Sequence, residues 1–302
     1  TRKGNTELTI EALAWQFGLH FNIGELAVSK EPSLKMKQLG SSLKHSIAVA
    51  SGCQGLGMAQ FMLGNFVEAR AEFEFGLRAG GNEISGVHCF PSMSLSYLAW
   101  TLFVLGENLE AEACANRAIE SARHESSHAV ATALNNCCYV YQCLGSTEKV
   151  YRHTEELVEH TRKYGEQMYL RRGIILRGWA DCVMNRNEEP VQTMKEHIDF
   201  LLQSNEEVEL TFMLGILADV QIRYARYSEA QSSLDKALAI ARKNQENFYL
   251  AELYRLKAKL IKADPVKFLP EEGGNYSAMA RQTAEAQHAK AWLDRLSQLE
   301  PR

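Results

Sequence analysis

Along the chain, apolar residues return at intervals of three and four, with charged and amide residues filling the positions between. "ALNNCCYVYQCL" (133–144) and "AELYRLKAKLI" (251–261) show the pattern, which gives each helical segment one face for a core. No stretch alternates strictly for long, and only six prolines interrupt the sequence. The pattern predicts helix throughout.

A longer period lies over the short one. "LGNFVEA" (63–69), "LGENLEA" (105–111) and "YARYSEA" (224–230) are versions of one phrase, and "IGELAVS" (23–29), "LGSTEKV" (144–150) and "MNRNEEP" (184–190) fit it more loosely. Taking Gly24, Gly64, Gly106, Gly145, Asn185, Ala225 and Pro265 as pivots, successive spacings are 39 to 42 residues. Such a return is the mark of a solenoid of helix pairs. The pivot ends one helix, where Gly or Asn suits a left-handed stop, and Pro190 suits the first turn of the next. Seven residues before the pivots stand Gly57, Ala99, Cys138, Gly178, Ala218 and Ala258, all small enough for a neighbouring helix to approach closely. The expected fold is an all-α, right-handed superhelix of six to seven tetratricopeptide-like pairs, one domain over residues 1–302. "PEEGGNYSAM" (270–279) reads as a loop, and residues 280–299 as a terminal capping helix.

"SYLAW" (96–100), "RGIILRGWA" (172–180), "YSEAQSSLDKALAIA" (227–241) and "ENFYLAELYRLKAKLI" (246–261) carry a resemblance. From about residue 55 to 262 the chain resembles the tetratricopeptide regions of bacterial signalling proteins in which repeats follow a signal-transducing ATPase module. Those proteins carry a nucleotide cyclase or, as in MalT-like regulators, a DNA-binding output domain. The resemblance implies a regulatory arm that couples binding of a partner to an ATPase switch. It departs at Asn185 and Ala225, where glycine is more usual.

Charge narrows the partners. Lys and Arg number 33 against 37 Asp and Glu, a net charge of -4, which argues against a chain built to grip phosphate backbones. No apolar run reaches transmembrane length, so neither nucleic acid nor membrane is an expected partner. The seven cysteines form no C-x-x-C pair and read as reduced, packed thiols of a cytoplasmic protein. Thr1 in place of Met fits a segment of a longer polypeptide.

One motif suggests chemistry. "HESSH" (124–128) fits H-E-x-x-H, in which two histidines one helical turn apart hold zinc. The repeat frame instead puts His124 at the end of one helix and Ser126 and Ser127 at the N-cap of the next, so the motif straddles a connection. "GCQGLG" (52–57) lacks the lysine of a phosphate-binding loop. The expectation is no enzyme, no metal and no cofactor in this segment, with a zinc hydrolase as the distant alternative.

A ligand is expected in the concave groove lined by the first helix of each pair. On the geometry of tetratricopeptide repeats, positions thirteen, ten, six, three and two before the pivot face that groove. Six before it stand Met58, Trp100, Tyr139, Trp179, Asp219 and Lys259. The three successive aromatics would form a stacking ladder for an extended peptide or a planar molecule. Gln54, Asn135, Arg172 and Arg223 supply polar contacts. For Trp100 and Trp179 the groove and the inter-helix core are both open, and Tyr139 is assigned to the groove. The expected partner is a protein, a peptide or another domain of the same polypeptide; the alternative is a small-molecule effector.

Overall fold

The computed structural model describes residues 2–80, 91–204 and 207–299. Among these residues there are fifteen helices and no strand. They pair in chain order: α1 (Arg2–Asn22) with α2 (Leu26–Leu43), α3 (Ser46–Met62) with α4 (Phe66–Gly80), and α5 (Pro91–Val104) with α6 (Asn108–Ala122). The next pairs are α7 (Ser127–Cys143) with α8 (Thr147–Tyr164), and α9 (Gln167–Met184) with α10 (Pro190–Gln203). Last come α11 (Leu210–Arg223) with α12 (Tyr227–Asn244) and α13 (Leu250–Ala263) with α14 (Pro270–Ala286), followed by the short α15 (Lys290–Ser297). The fold is an all-α superhelix of repeated helix pairs.

Every pivot falls in the corner inside a pair. Gly24, Gly64, Gly106 and Gly145 take φ of +72° to +90°, and Ala225 takes +55° although it carries a Cβ. At Asn185 the frame slips by one residue: Asn185 stays right-handed and Arg186 makes the left-handed turn at φ +50°. No left-handed residue stands at Pro265, where the corner opens into a longer connection.

The two helices of a pair differ in burial because they form different layers. Twelve of the fourteen residues of α5 are buried, whereas α8 buries only the stripe Val150, Thr154, Leu157 and Thr161. First helices therefore make an inner layer and second helices an amphipathic outer one. The small column lets the layers meet. A Cβ on Gly57 would lie 2.6 Å from Phe73 of α4, and one on Gly178 2.7 Å from Met194 of α10.

The C-terminal reading needs correction. Residues 270–279 are not a loop but the first half of α14, entered through Pro270 at its first turn, a position proline favours. Nor is 280–299 one helix: His288 at φ +54° breaks it, and α15 turns back toward the body of the superhelix. "GGN" misled because glycine is a poor helix former in isolation. Here Gly273 lets α14 cross α13 closely, an added Cβ meeting Ile261 at 3.2 Å.

The superhelix winds tightly enough to touch itself. The N–H groups of Asn247 and Phe248, between α12 and α13, donate to the carbonyl of Met62 at the end of α3 at 2.8 and 3.1 Å. Gln287 donates to the carbonyl of Asn247 at 2.9 Å, and its amide also presses on the Gly64 corner. The two bonds to Met62 join residues 185 and 186 positions apart and close the inner groove around its axis.

Candidate functional site

Closure divides the expected groove into three zones. The middle zone is a plug. Phe61, Trp100, Tyr139, Phe212, Phe248, Tyr249 and Trp292 meet there, with ring centroids 5.0 Å apart for Trp100–Tyr139, 4.7 Å for Tyr139–Phe212 and 5.0 Å for Trp100–Phe248. Trp100 and Tyr139, one repeat apart, form a pair whose rings are tilted by 42°. Phe212 and Phe248, from later turns of the superhelix, cover it completely, and neither Trp100 nor Tyr139 retains exposed surface. The assignment of Tyr139 to an open groove is therefore corrected: it is core. Asn135 is also fully buried, its amide donating to Asn136 at 3.0 Å.

Polar bonds fasten the plug. Arg172 on α9 donates to Glu209 at 2.6 Å and to the carbonyl of Val208 at 3.2 Å, and the Tyr97 hydroxyl donates to the same carboxylate at 2.8 Å. Arg172 and Glu209 are both buried, so the arginine expected to meet a ligand is spent on an internal ion pair. Behind it, Glu246 accepts from the Glu209 N–H at 3.2 Å and from the Thr211 hydroxyl. Burial, with the nearby Glu209 charge, raises the Glu246 carboxyl to about 7.

On one side of the plug lies an apolar furrow with two connected lobes of about 330 and 200 Å³. Met36, Met58, Met93 and Met168 line it together with Phe17, and Trp15 and His128 stand on its walls. Met58, itself buried, lies on an apolar wall of the furrow. Gln54 lies there too, donating to the Met93 sulfur at 3.4 Å and accepting from Ser94 at 3.1 Å.

On the other side is a charged cleft of about 440 Å³. It brings together Trp179, Asp219, Arg223 and Lys259, four of the residues selected from sequence. Asp219 and Lys259, at the same position of adjacent repeats, pair at 2.6 Å. The cleft also holds residues the sequence reading missed. Glu252, only 2 % exposed, takes Arg255 at 2.7 Å and Arg295 at 2.8 Å. Although burial alone would raise it, the two guanidinium groups hold the Glu252 carboxyl down at about 2. Arg295 comes from α15 and also bonds the carbonyl of Cys143, while Trp292 packs against Phe103 and Tyr249. The terminal helix is thereby one wall of the cleft. Glu252 and Arg255 stand thirteen and ten residues before Pro265, so the groove columns, carried into the last repeat, would have found them. Arg295 and Glu209 lie outside any repeat column.

HESSH is split between elements. His124 follows the end of α6, Ser126 caps α7 by accepting from the Ala129 N–H at 3.0 Å, and His128 is in that helix's first turn. Glu125 accepts from the N–H and hydroxyl of Ser92 at 2.9 and 2.6 Å, capping the neighbouring α5. Among the described residues no three His, Cys, Asp or Glu side chains are grouped to hold a metal, and no helix is long and apolar enough to cross a membrane. Six cysteines are buried free thiols; Cys89 lies outside the described residues.

No protein-family model and no curated sequence matches this chain. Solved structures do. A Rap protein complexed with competence and sporulation factor superposes with a TM-score of 0.69 at 10% identity, over 94% of this chain and 77% of that one. The Rap conjugation gene regulator of plasmid pLS20, in complex with the Phr* peptide, gives 0.67 at 14% identity, over 95% and 77%. A tetratricopeptide repeat protein from Parabacteroides merdae gives 0.50 at 16% identity, over 95% and 99%. At these identities the likeness is one of fold: the chain is similar to tetratricopeptide-type superhelices.

Proposed function

We propose that this chain is a non-catalytic regulatory superhelix that holds a short extended peptide in its charged cleft. The observation carrying the reading is the cleft itself. Inner-face residues of successive repeats, Trp179, Asp219 and Lys259, converge there with Glu252 and Arg255 of α13 and Arg295 of α15. A row of side chains one repeat apart suits an extended chain, because helices packed about 8–10 Å apart meet roughly every third residue of a ligand rising about 3.3 Å per residue. The likeness to Rap proteins solved with the Phr* peptide or with competence and sporulation factor supports a peptide as the ligand class. The resemblance of residues 55–262 to ATPase-linked signalling proteins supports a place as the sensing arm of a larger cytoplasmic protein.

The test is thermal stabilisation by a random pentapeptide pool, since a ligand that binds only the folded chain raises its melting temperature. Stabilisation is expected for the wild type and for Glu110→Ala on an outer helix, and its loss is expected in Trp179→Ala. Stabilisation that survives Trp179→Ala would move the peptide out of this cleft. No response to peptides, with stable capture of a folded protein, would replace peptide sensing by docking.

A further inference from the structure

The charges in the cleft do not balance. Arg223, Arg255, Lys259 and Arg295 line it against only two carboxylates, Asp219 and Glu252. Glu252 is shared by Arg255 and Arg295, and Asp219 is taken by Lys259. Arg223 enters neither ion-pair group and is exposed. Two positive charges are therefore in excess where a ligand would lie. An ammonium group is repelled there and an anion is attracted.

Two neutral groups narrow the anion. Gln142, 7% exposed, and Trp179, 5% exposed, both line this cleft. The Gln142 carbonyl oxygen and the Trp179 indole N–H have no hydrogen-bond partner in the protein. One is an acceptor and the other a donor, each costly to leave unmatched when buried. A simple inorganic anion answers the indole N–H but not the glutamine oxygen. An amide answers both. The chemical unit that carries an amide next to an anion is the last residue of a peptide, with its carboxylate free.

Building on the peptide reading of this cleft, we infer that the cleft reads the C-terminal end of its ligand. Arg223 takes the terminal carboxylate, while Gln142 and Trp179 take the N–H and carbonyl of the adjoining amide. Arg255 and Arg295, held on Glu252, supply the field that favours the anion.

The experiment compares three forms of one random pentapeptide pool at low ionic strength: unmodified, N-acetylated and C-amidated. Retention by the wild-type chain is measured by equilibrium dialysis and mass spectrometry. The unmodified and acetylated pools are expected to be retained alike and the amidated pool about tenfold less, the scale of one charge-assisted hydrogen bond. Arg223→Gln, an exposed change, should bring the unmodified pool down to the amidated level at an unchanged melting temperature. Equal retention of amidated and unmodified peptides overturns the inference and leaves the peptide reading standing. Loss of the acetylated pool overturns it also, because the amino end is then being read. Retention of no pool removes the peptide reading and the inference together.

Discussion

The furrow and the charged cleft are built from the same repeat positions, and each holds an arginine paired with a buried glutamate. Yet methionine and phenylalanine dominate one and charge the other. From the Gly64 pivot onward, the column thirteen residues before the pivot runs Ser51, Met93, Thr132, Arg172, Phe212, Glu252. The first four line the furrow, Phe212 is in the plug, and Glu252 is in the charged cleft. The column six before the pivot makes the same journey, from Met58 through Trp100 and Tyr139 to Trp179, Asp219 and Lys259. Repeat position points a side chain at the superhelix axis. Where along the axis it arrives decides whether it becomes wall, core or charge.

The strongest way to break this comparison is to unfasten the zone between the two cavities. Arg172→Ala leaves Glu209 buried with its charge uncompensated, and losing one partner of a buried pair costs about 3–5 kcal/mol. Tyr139→Ala, which opens a cavity between Trp100 and Phe212, belongs in the same range of about 3–5 kcal/mol. Urea denaturation measures both. Losses below about 1 kcal/mol, the size of an ordinary surface change, would mean that the plug is open in solution and the aromatic ladder is a groove after all.

That outcome bears on what was legible. Fold class, corners and the small column at Gly57 and Gly178 follow from local rules, a stop signal and a packing size that recur every forty residues. That Trp100 and Tyr139 share one repeat position was legible too. Their burial was not, because it depends on Phe212 and Phe248 arriving from more than seventy residues away. Superhelical pitch is a sum of small rotations between repeats, and no single motif encodes it. Arg295 was invisible for a related reason: its partner Glu252 is distant in sequence, and α15 follows the last repeat.

The plug and the charged cleft can also be compared by pH, through one buried glutamate on each. Glu252 lies between two arginines and titrates at about 2, below its unfolded value near 4.3. Its stabilisation is present above pH 4.3 and is lost as pH falls toward 2. Glu246 titrates at about 7, above its unfolded value. The folded state then binds more protons than the unfolded one between pH 4.3 and 7, so stability declines as pH rises through that window. Together the two groups contribute most to stability at about pH 4.3, their shared unfolded value. Glu246→Gln should flatten the decline between pH 5 and 8, a change on the order of 2–3 kcal/mol in wild type, while leaving the acid limb intact. A Glu246→Gln protein with the wild-type slope in urea melts across that range would show that Glu246 is ionised in the fold.

The smallest expected effect separates the corners around the two cavities. At Gly64, beside the self-contact, an added Cβ would come within 2.2 Å of the Gln287 amide, so glycine there serves both turn and close approach. Ala225, next to the charged cleft, is exposed and already carries its Cβ at φ +55°. A left-handed residue other than glycine carries roughly 1–2 kcal/mol of strain. Replacing it by glycine removes that strain but adds freedom to the unfolded chain, worth about 0.4–1 kcal/mol. Ala225→Gly should therefore stabilise the protein by about 0.5–1 kcal/mol. Gly145→Ala is the mirror experiment, since φ is +72° and nothing lies within 4 Å of the new methyl; it should cost a similar amount. Denaturation curves in which Ala225→Gly lowers stability would mean that this corner is not left-handed in solution, and the shared turn geometry of the repeats would end at the fifth pair.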